Sequence, residues 1–277
     1  MGRRSARTLV IHTGAIGDFL LACPALVELS KSSDVELAGN RDRLELLVAG
    51  GIARAAHALD SIAFQSVFAE PAEKFWRFVD SFDRAIVWMR DSGGEIQRGL
   101  KACGVPRVDV FPGLPDTQWT RHASEYYATC LDFRDLPPLH LLIPPSGLPL
   151  DVVIHPGSGS PKKNWPIENF LDVARAFSAD GRRVTWCVGP AETARNTLNL
   201  TGELLRCESL VELAARLANA RLYVGNDSGI THLAAALGVP TIAIFGSTDP
   251  KVWAPRGEHV RVMQGKPWPK ATGLLSP

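Results

Sequence analysis

The sequence has no Cys-x-x-Cys pair, and its five cysteines (Cys23, Cys103, Cys130, Cys187 and Cys207) are scattered along 277 residues. That scatter argues against a zinc ribbon or a thioredoxin-type redox pair. The apolar surroundings of three of the five point to buried free thiols in a reducing compartment. Also missing is any apolar run approaching the roughly 20 uninterrupted residues that span a bilayer. The chain starts basic, but the apolar stretch that follows is broken by His12 and Asp18, so no signal peptide is expected. An excess of one charge is lacking as well, with 30 basic against 29 acidic side chains. A net +1 does not give the strong positive field of a dedicated nucleic-acid binder, and no nucleic-acid partner is expected. A cytoplasmic location follows, with peripheral contact at the inner face of a membrane as the most membrane association expected.

What the sequence does have is an apolar fraction of 45%, enough to fill a core in each of two ordinary α/β domains. A short β-branched run, a Gly-rich or polar loop and a longer amphipathic segment recur along the chain, the pattern of parallel sheets covered by helices. Strands are expected at residues 8–12, 35–38, 85–88 and 108–110, and helices at 18–30, 73–79, 95–103 and 122–131. Residues 135–150 turn proline-rich, which neither a helix nor a central strand tolerates, so a linker is placed there. The pattern restarts with strands at 152–155, 184–188, 222–224 and 241–245, and helices at 167–179, 210–218 and 229–237. The expected fold is therefore α/β, with two doubly wound, Rossmann-like parallel-sheet domains, residues 1–140 and 141–277, facing a cleft. Residues 141–277 carry 14 basic and 11 acidic side chains, which makes that half the better place for a phosphate ligand.

Three loops carry the chemistry. In Val10-Ile11-His12-Thr13-Gly14-Ala15-Ile16-Gly17-Asp18 a strand runs through two glycines into a helix, presenting backbone N–H groups and the positive end of a helix dipole. Asp18 there reads either as an N-cap or as a functional carboxylate. The spacing is not the dinucleotide fingerprint. In His155-Pro156-Gly157-Ser158-Gly159-Ser160-Pro161-Lys162-Lys163-Asn164-Trp165-Pro166 a Gly/Ser loop with two lysines offers small donors and a mobile positive charge, suited to a diphosphate. It is not a Walker loop. In Gly225-Asn226-Asp227-Ser228-Gly229-Ile230-Thr231-His232 a strand meets an Ala-rich helix through a polar turn, so the Ser228 and Gly229 amides are placed to meet an anion and His232 to reach the same spot. A further small-residue loop, Gly246-Ser247-Thr248-Asp249-Pro250, follows the next strand.

In this order and at these separations, the three loops resemble the family 9 glycosyltransferases, the ADP-heptose:lipopolysaccharide heptosyltransferases. The resemblance covers the first 30 or so residues and nearly all of 151–262. It implies a GT-B fold and an inverting transferase that moves heptose from an ADP-sugar to a lipopolysaccharide core or related glycan acceptor, with no metal and no cofactor. By the same resemblance Asp18 is the general base. Gly17, Ser158, Gly159, Lys163, Asn226, Asp227, Ser228, Gly229 and His232 bind the donor, and Glu192 holds its ribose. In the first domain, Met89-Arg90-Asp91-Ser92-Gly93-Gly94 stands where many members carry Asp-x-x-Gly-x-x-Arg-Ser. Two other readings stay open: a transferase with a different nucleotide-sugar donor, and a catalytically silent nucleotide-binding homologue.

Overall fold

The strand Leu9, Val10 and Ile11 is fully buried on both faces, the signature of a strand inside a parallel sheet covered on two sides. The computed structural model describes residues 5–189, 200 and 202–265, and within them the chain divides into two compact units. The first comprises residues up to Trp119 together with Ala123–Pro137, and the second comprises Thr120–His122 and everything from Pro138 on.

In the first unit the strands are β1 (Ala6–His12), β2 (Ser33–Gly39), β3 (Ala55–Ala58), β4 (Arg84–Trp88) and β5 (Arg107–Phe111). They form one sheet in the order β3-β2-β1-β4-β5, all pairs parallel. The helices α1 (Ile16–Ser30), α2 (Arg41–Ala49), α3 (Glu73–Val79), α4 (Glu95–Ala102) and α5 (Ala123–Cys130) complete it. A core of Leu9, Ile11, Phe64, Phe75, Val87 and Leu100 packs one face. Register aligns His12 with Gly39 on one side and Trp88 on the other. The main chains crowd at that level, because a Cβ on Gly39 would stand 2.1 Å from the His12 carbonyl oxygen.

The second unit holds β6 (Val152–His155), β7 (Val184–Cys187), β8 (Glu203–Leu205), β9 (Tyr223–Asn226), β10 (Thr241–Phe245) and β11 (Val260–Gln264). Their order is β11-β10-β9-β6-β7-β8, again all parallel. Helix α6 (Ile167–Ala179) presses Phe170, Val173 and Phe177 onto Val152, Ile154 and Trp186. The proline-rich segment runs with this unit: Leu141 N–H donates to Ala236 O at 2.7 Å, Ser146 N–H donates to Ala215 O at 2.9 Å, and Leu141 and Ile143 are buried.

Both sheets meet the expectation of doubly wound parallel architecture, and both change winding direction beside their first strand. In the first unit this switch lies between β1 and β4, and in the second between β6 and β9. Doubly wound sheets bind ligands at the carboxyl edge of such a switch point. The loops after β1, β6 and β9 are the three motif loops of the sequence.

Candidate functional site

In the second unit the site is built around the end of β9. Asn226 is completely buried. Its Oδ1 accepts the Trp165 N–H at 2.9 Å and its Nδ2 donates to Pro156 O at 2.8 Å. Both ends of the Gly/Ser/Lys loop are therefore pinned to β9 by one side chain. Trp165 adds an edge-to-face contact with Phe170 at 5.0 Å. Asn226→Ala is expected to lower unfolding free energy by about 2 kcal/mol or more, since it strands a buried donor and a buried acceptor. Denaturant unfolding measures this, and an unchanged midpoint would contradict it.

Ser158 is also inward-turned, with its Oγ 2.7 Å from Ser160 O and 2.5 Å from Asn164 Oδ1, so it braces the loop. Gly159 is exposed at the tip, with nothing within 4 Å of where a Cβ would stand. Lys163 closes the short turn Pro161–Lys163, and its Nζ lies 2.8 Å from Asp227 Oδ2. Thr248 Oγ1 donates to that same oxygen at 2.6 Å.

Ser228 is the N-cap of the helix Gly229–Ala236, accepting from Thr231 N–H. Thr231 Oγ1 in turn donates to Asn226 O at 2.5 Å, locking strand end to helix start. Capping takes up the Thr231 amide and leaves those of Gly229 and Ile230 at the helix's positive end, where no intrahelical acceptor exists. A helix start of this kind is suited to an anion, and Lys163, through Asp227, is held at the residue that precedes its cap. His155, which ends β6, places Nδ1 3.4 Å from Ser228 Oγ.

His232 is buried. Burial first, then the positive charges of His122 and Lys163, pull its pKa down to about 4, against the opposing pull of Asp227 and a hydrogen bond with the Trp253 backbone. It is a neutral ring at neutral pH and adds no positive charge to the site. Thr231, Thr248, His155 and His122 were not singled out by the sequence reading. For Thr248 a signal existed in the Gly246–Pro250 stretch, but its partner was not readable. Glu192 lies outside the described residues.

In the first unit, α1 begins after Ala15, so Asp18 is its third residue and not the N-cap. Its Oδ2 accepts the Ala15 N–H at 3.2 Å, and Gly17 lies in the same first turn. A Cβ on Gly14 would stand 2.8 Å from His12 Cε1 and 3.2 Å from Asp18 Cβ. The glycine thus lets the loop pass close against the imidazole and the Asp18 side chain. Arg43 holds the loop by donating from Nη1 to Gly14 O at 2.6 Å. His12 is enclosed by Phe19, Trp88 and Tyr127. Burial, then Arg43, lowers its pKa to about 4. Burial, then the Asp18 charge, pushes the Tyr127 hydroxyl up. Nearby, Asp91 accepts from Ile96 N–H and Gln97 N–H, which assigns it to the start of α4.

Both buried histidines stay neutral in the folded chain down to about pH 4, whereas the unfolded chain takes up protons near the ordinary 6.5. Their contribution to stability is therefore complete above about pH 6.5 and is lost as pH falls towards 4. Unfolding midpoints across that range measure it. His12→Phe is expected to flatten the acid limb, and an unchanged limb would contradict the assignment for His12.

Residues 104–272, more than half of the chain, match the model of glycosyltransferase family 9 (heptosyltransferase). The chain belongs to glycosyltransferase family 9. It is 34% identical over 119 residues to lipopolysaccharide heptosyltransferase 3 of Escherichia coli K12, a match covering 39% of this chain and 34% of that one. The match thus spans about a third of the relative's length. The family 9 glycosyl transferase structure from Veillonella parvula superposes with a TM-score of 0.75 at 19% identity, covering 95% of this chain and 88% of that one. The E. coli heptosyltransferase WaaC with ADP gives 0.69 at 18%, covering 97% and 98%. These likenesses establish the GT-B fold of two parallel-sheet domains, as the motifs implied. A more distant neighbour, with a TM-score of 0.62, 16% identity and cover of 94% and 63%, is the dodecameric iron-containing glycosyltransferase TibC of enterotoxigenic E. coli. Among the described residues, no group of three or more His, Cys, Asp or Glu side chains is arranged to hold a metal ion, and no helix is long and apolar enough to cross a membrane.

Proposed function

We propose that this chain is an inverting, metal-independent glycosyltransferase that moves heptose from an ADP-sugar to a lipopolysaccharide core or a related glycan. The observation that carries this reading is the anion site of the second unit. There Lys163 pairs with Asp227, the residue just before the Ser228 cap of the helix Gly229–Ala236, in the loops at the sheet's switch point. Adenine and heptose are supported by the lipopolysaccharide heptosyltransferase relatives and by the ADP in the WaaC structure.

In this reading residues 141–277 form the donor-binding half, with Lys163, Ser228, Gly229 and the Ser158–Gly159 loop around the diphosphate and Glu192 on the ribose. Residues 1–140 form the acceptor half. Asp18 takes the proton from the acceptor hydroxyl as its oxygen bonds to the anomeric carbon. The bond from that carbon to the diphosphate breaks in the same step, and the negative charge passes to ADP. A positioned base and preset donors for the departing oxyanion are what such a displacement requires. A single displacement inverts the anomeric configuration. The reading places the chain in the cytoplasm, touching a membrane only peripherally where its acceptor lies.

The test is to incubate the chain with ADP-heptose and a heptose-free lipopolysaccharide acceptor, with and without EDTA, following ADP release and the anomeric configuration of the product. EDTA-insensitive transfer with inversion is expected. Transfer only from a UDP- or GDP-sugar would change the donor, and nucleotide binding without transfer would make the chain a silent homologue.

A further inference from the structure

The loop after β10, Gly246-Ser247-Thr248-Asp249-Pro250, has no part in the reaction as described so far. Its own shape is set locally, by the Asp249 carboxylate accepting from Lys251 N–H at 2.9 Å. Half-buried Thr248 faces a cavity of about 460 Å³ lined by Gly246, Ser247, Thr248, Asp249, Gln264 and Gly265. Its hydroxyl is nevertheless turned onto Asp227 Oδ2, the oxygen that Lys163 also holds.

That shared oxygen presents a difficulty for donor binding. The Asp227 side chain is only 7% exposed, and a carboxylate so enclosed is costly to leave without a donor. Lys163 cannot give its full charge to a diphosphate while it neutralises Asp227. We propose that Thr248 is a positioning residue of the donor site, keeping Asp227 hydrogen-bonded and in place when the Lys163 ammonium turns from that carboxylate to the donor's diphosphate. The proposal rests on the donor-site reading above. It explains why a hydroxyl, and not merely a small side chain, stands at this point of the loop.

The experiment is calorimetric titration of the full chain with ADP, comparing Thr248→Val, Thr248→Ala and Thr248→Ser in the wild-type and Asp227→Asn backgrounds, with melting temperatures recorded for each. In the wild-type background Thr248→Val and Thr248→Ala are expected to weaken ADP binding by about tenfold, as for loss of a hydrogen bond to a charged group. Thr248→Ser, which keeps the hydroxyl, is expected to bind as wild type. In the Asp227→Asn background no buried charge remains to be held, and the same substitutions are expected to change ADP binding less than about threefold. Equal losses in both backgrounds would make Thr248 scaffolding and overturn the proposal, as would wild-type affinity in Thr248→Val and Thr248→Ala. If the wild-type chain itself fails to bind ADP, the donor-site reading falls and the Thr248 proposal falls with it.

Discussion

Asp18→Asn is expected to fold as the wild type and to lose about 10²-fold or more of its turnover, the loss that removal of a general base produces. The substitution suits the question because Asn keeps an oxygen that can accept the Ala15 N–H, so the cap now made by Asp18 Oδ2 at 3.2 Å survives. What disappears is the carboxylate's ability to take a proton. Steady-state turnover at saturating donor and acceptor, with the melting temperature as the folding check, measures the effect. Near-normal turnover would remove Asp18 from the mechanism and leave it as the first-turn acceptor for the Ala15 N–H.

Lys163→Ala is expected to raise the donor KM and lower kcat together, reducing kcat/KM by about 10²-fold or more. Two losses combine in this variant. The positive charge at the diphosphate is gone, and the Asp227 carboxylate, formerly paired with Lys163 at 2.8 Å, keeps the Thr248 hydroxyl as a donor. An uncompensated negative charge then lies where another must bind. Adding Asp227→Asn to this variant is expected to recover part of the donor KM, because it removes the repulsive half of the defect. Donor kinetics unchanged by Lys163→Ala would count against the phosphate role.

Much of this fold is legible in local sequence. The segments 73–79, 152–155, 167–179 and 241–245 are expected and observed with the same limits, because each combines a clear apolar period with a turn signal at its ends. Strand β3, Ala-Ala-His-Ala, lacks the β-branched residues that mark strands, and β8 has only three residues, so neither stands out before its sheet is known. Helix α2 carries a local signal in the Asn40 cap, which accepts from Arg43 N–H.

The candidate site divides along the same line. The glycine loops are visible because strand, turn and helix follow one another directly in the chain. Roles that depend on distant partners are not. The bracing that Asn226 provides through Trp165 and Pro156, 61 and 70 positions away, has no signal in local sequence. The burial of His232 beside His122 and the Trp253 backbone, which lowers its pKa, is likewise invisible in local sequence. Thr248 acquires a role through Asp227, 21 residues earlier.

The central claim is that the second unit binds a nucleoside diphosphate at the Lys163 loop and the start of the helix Gly229–Ala236. Calorimetric titration of the full chain with ADP, UDP and GDP, each with and without EDTA, tests it most directly. Saturable ADP binding, stronger than that of UDP or GDP and unchanged by EDTA, is the predicted result; absence of binding by all three would contradict the account.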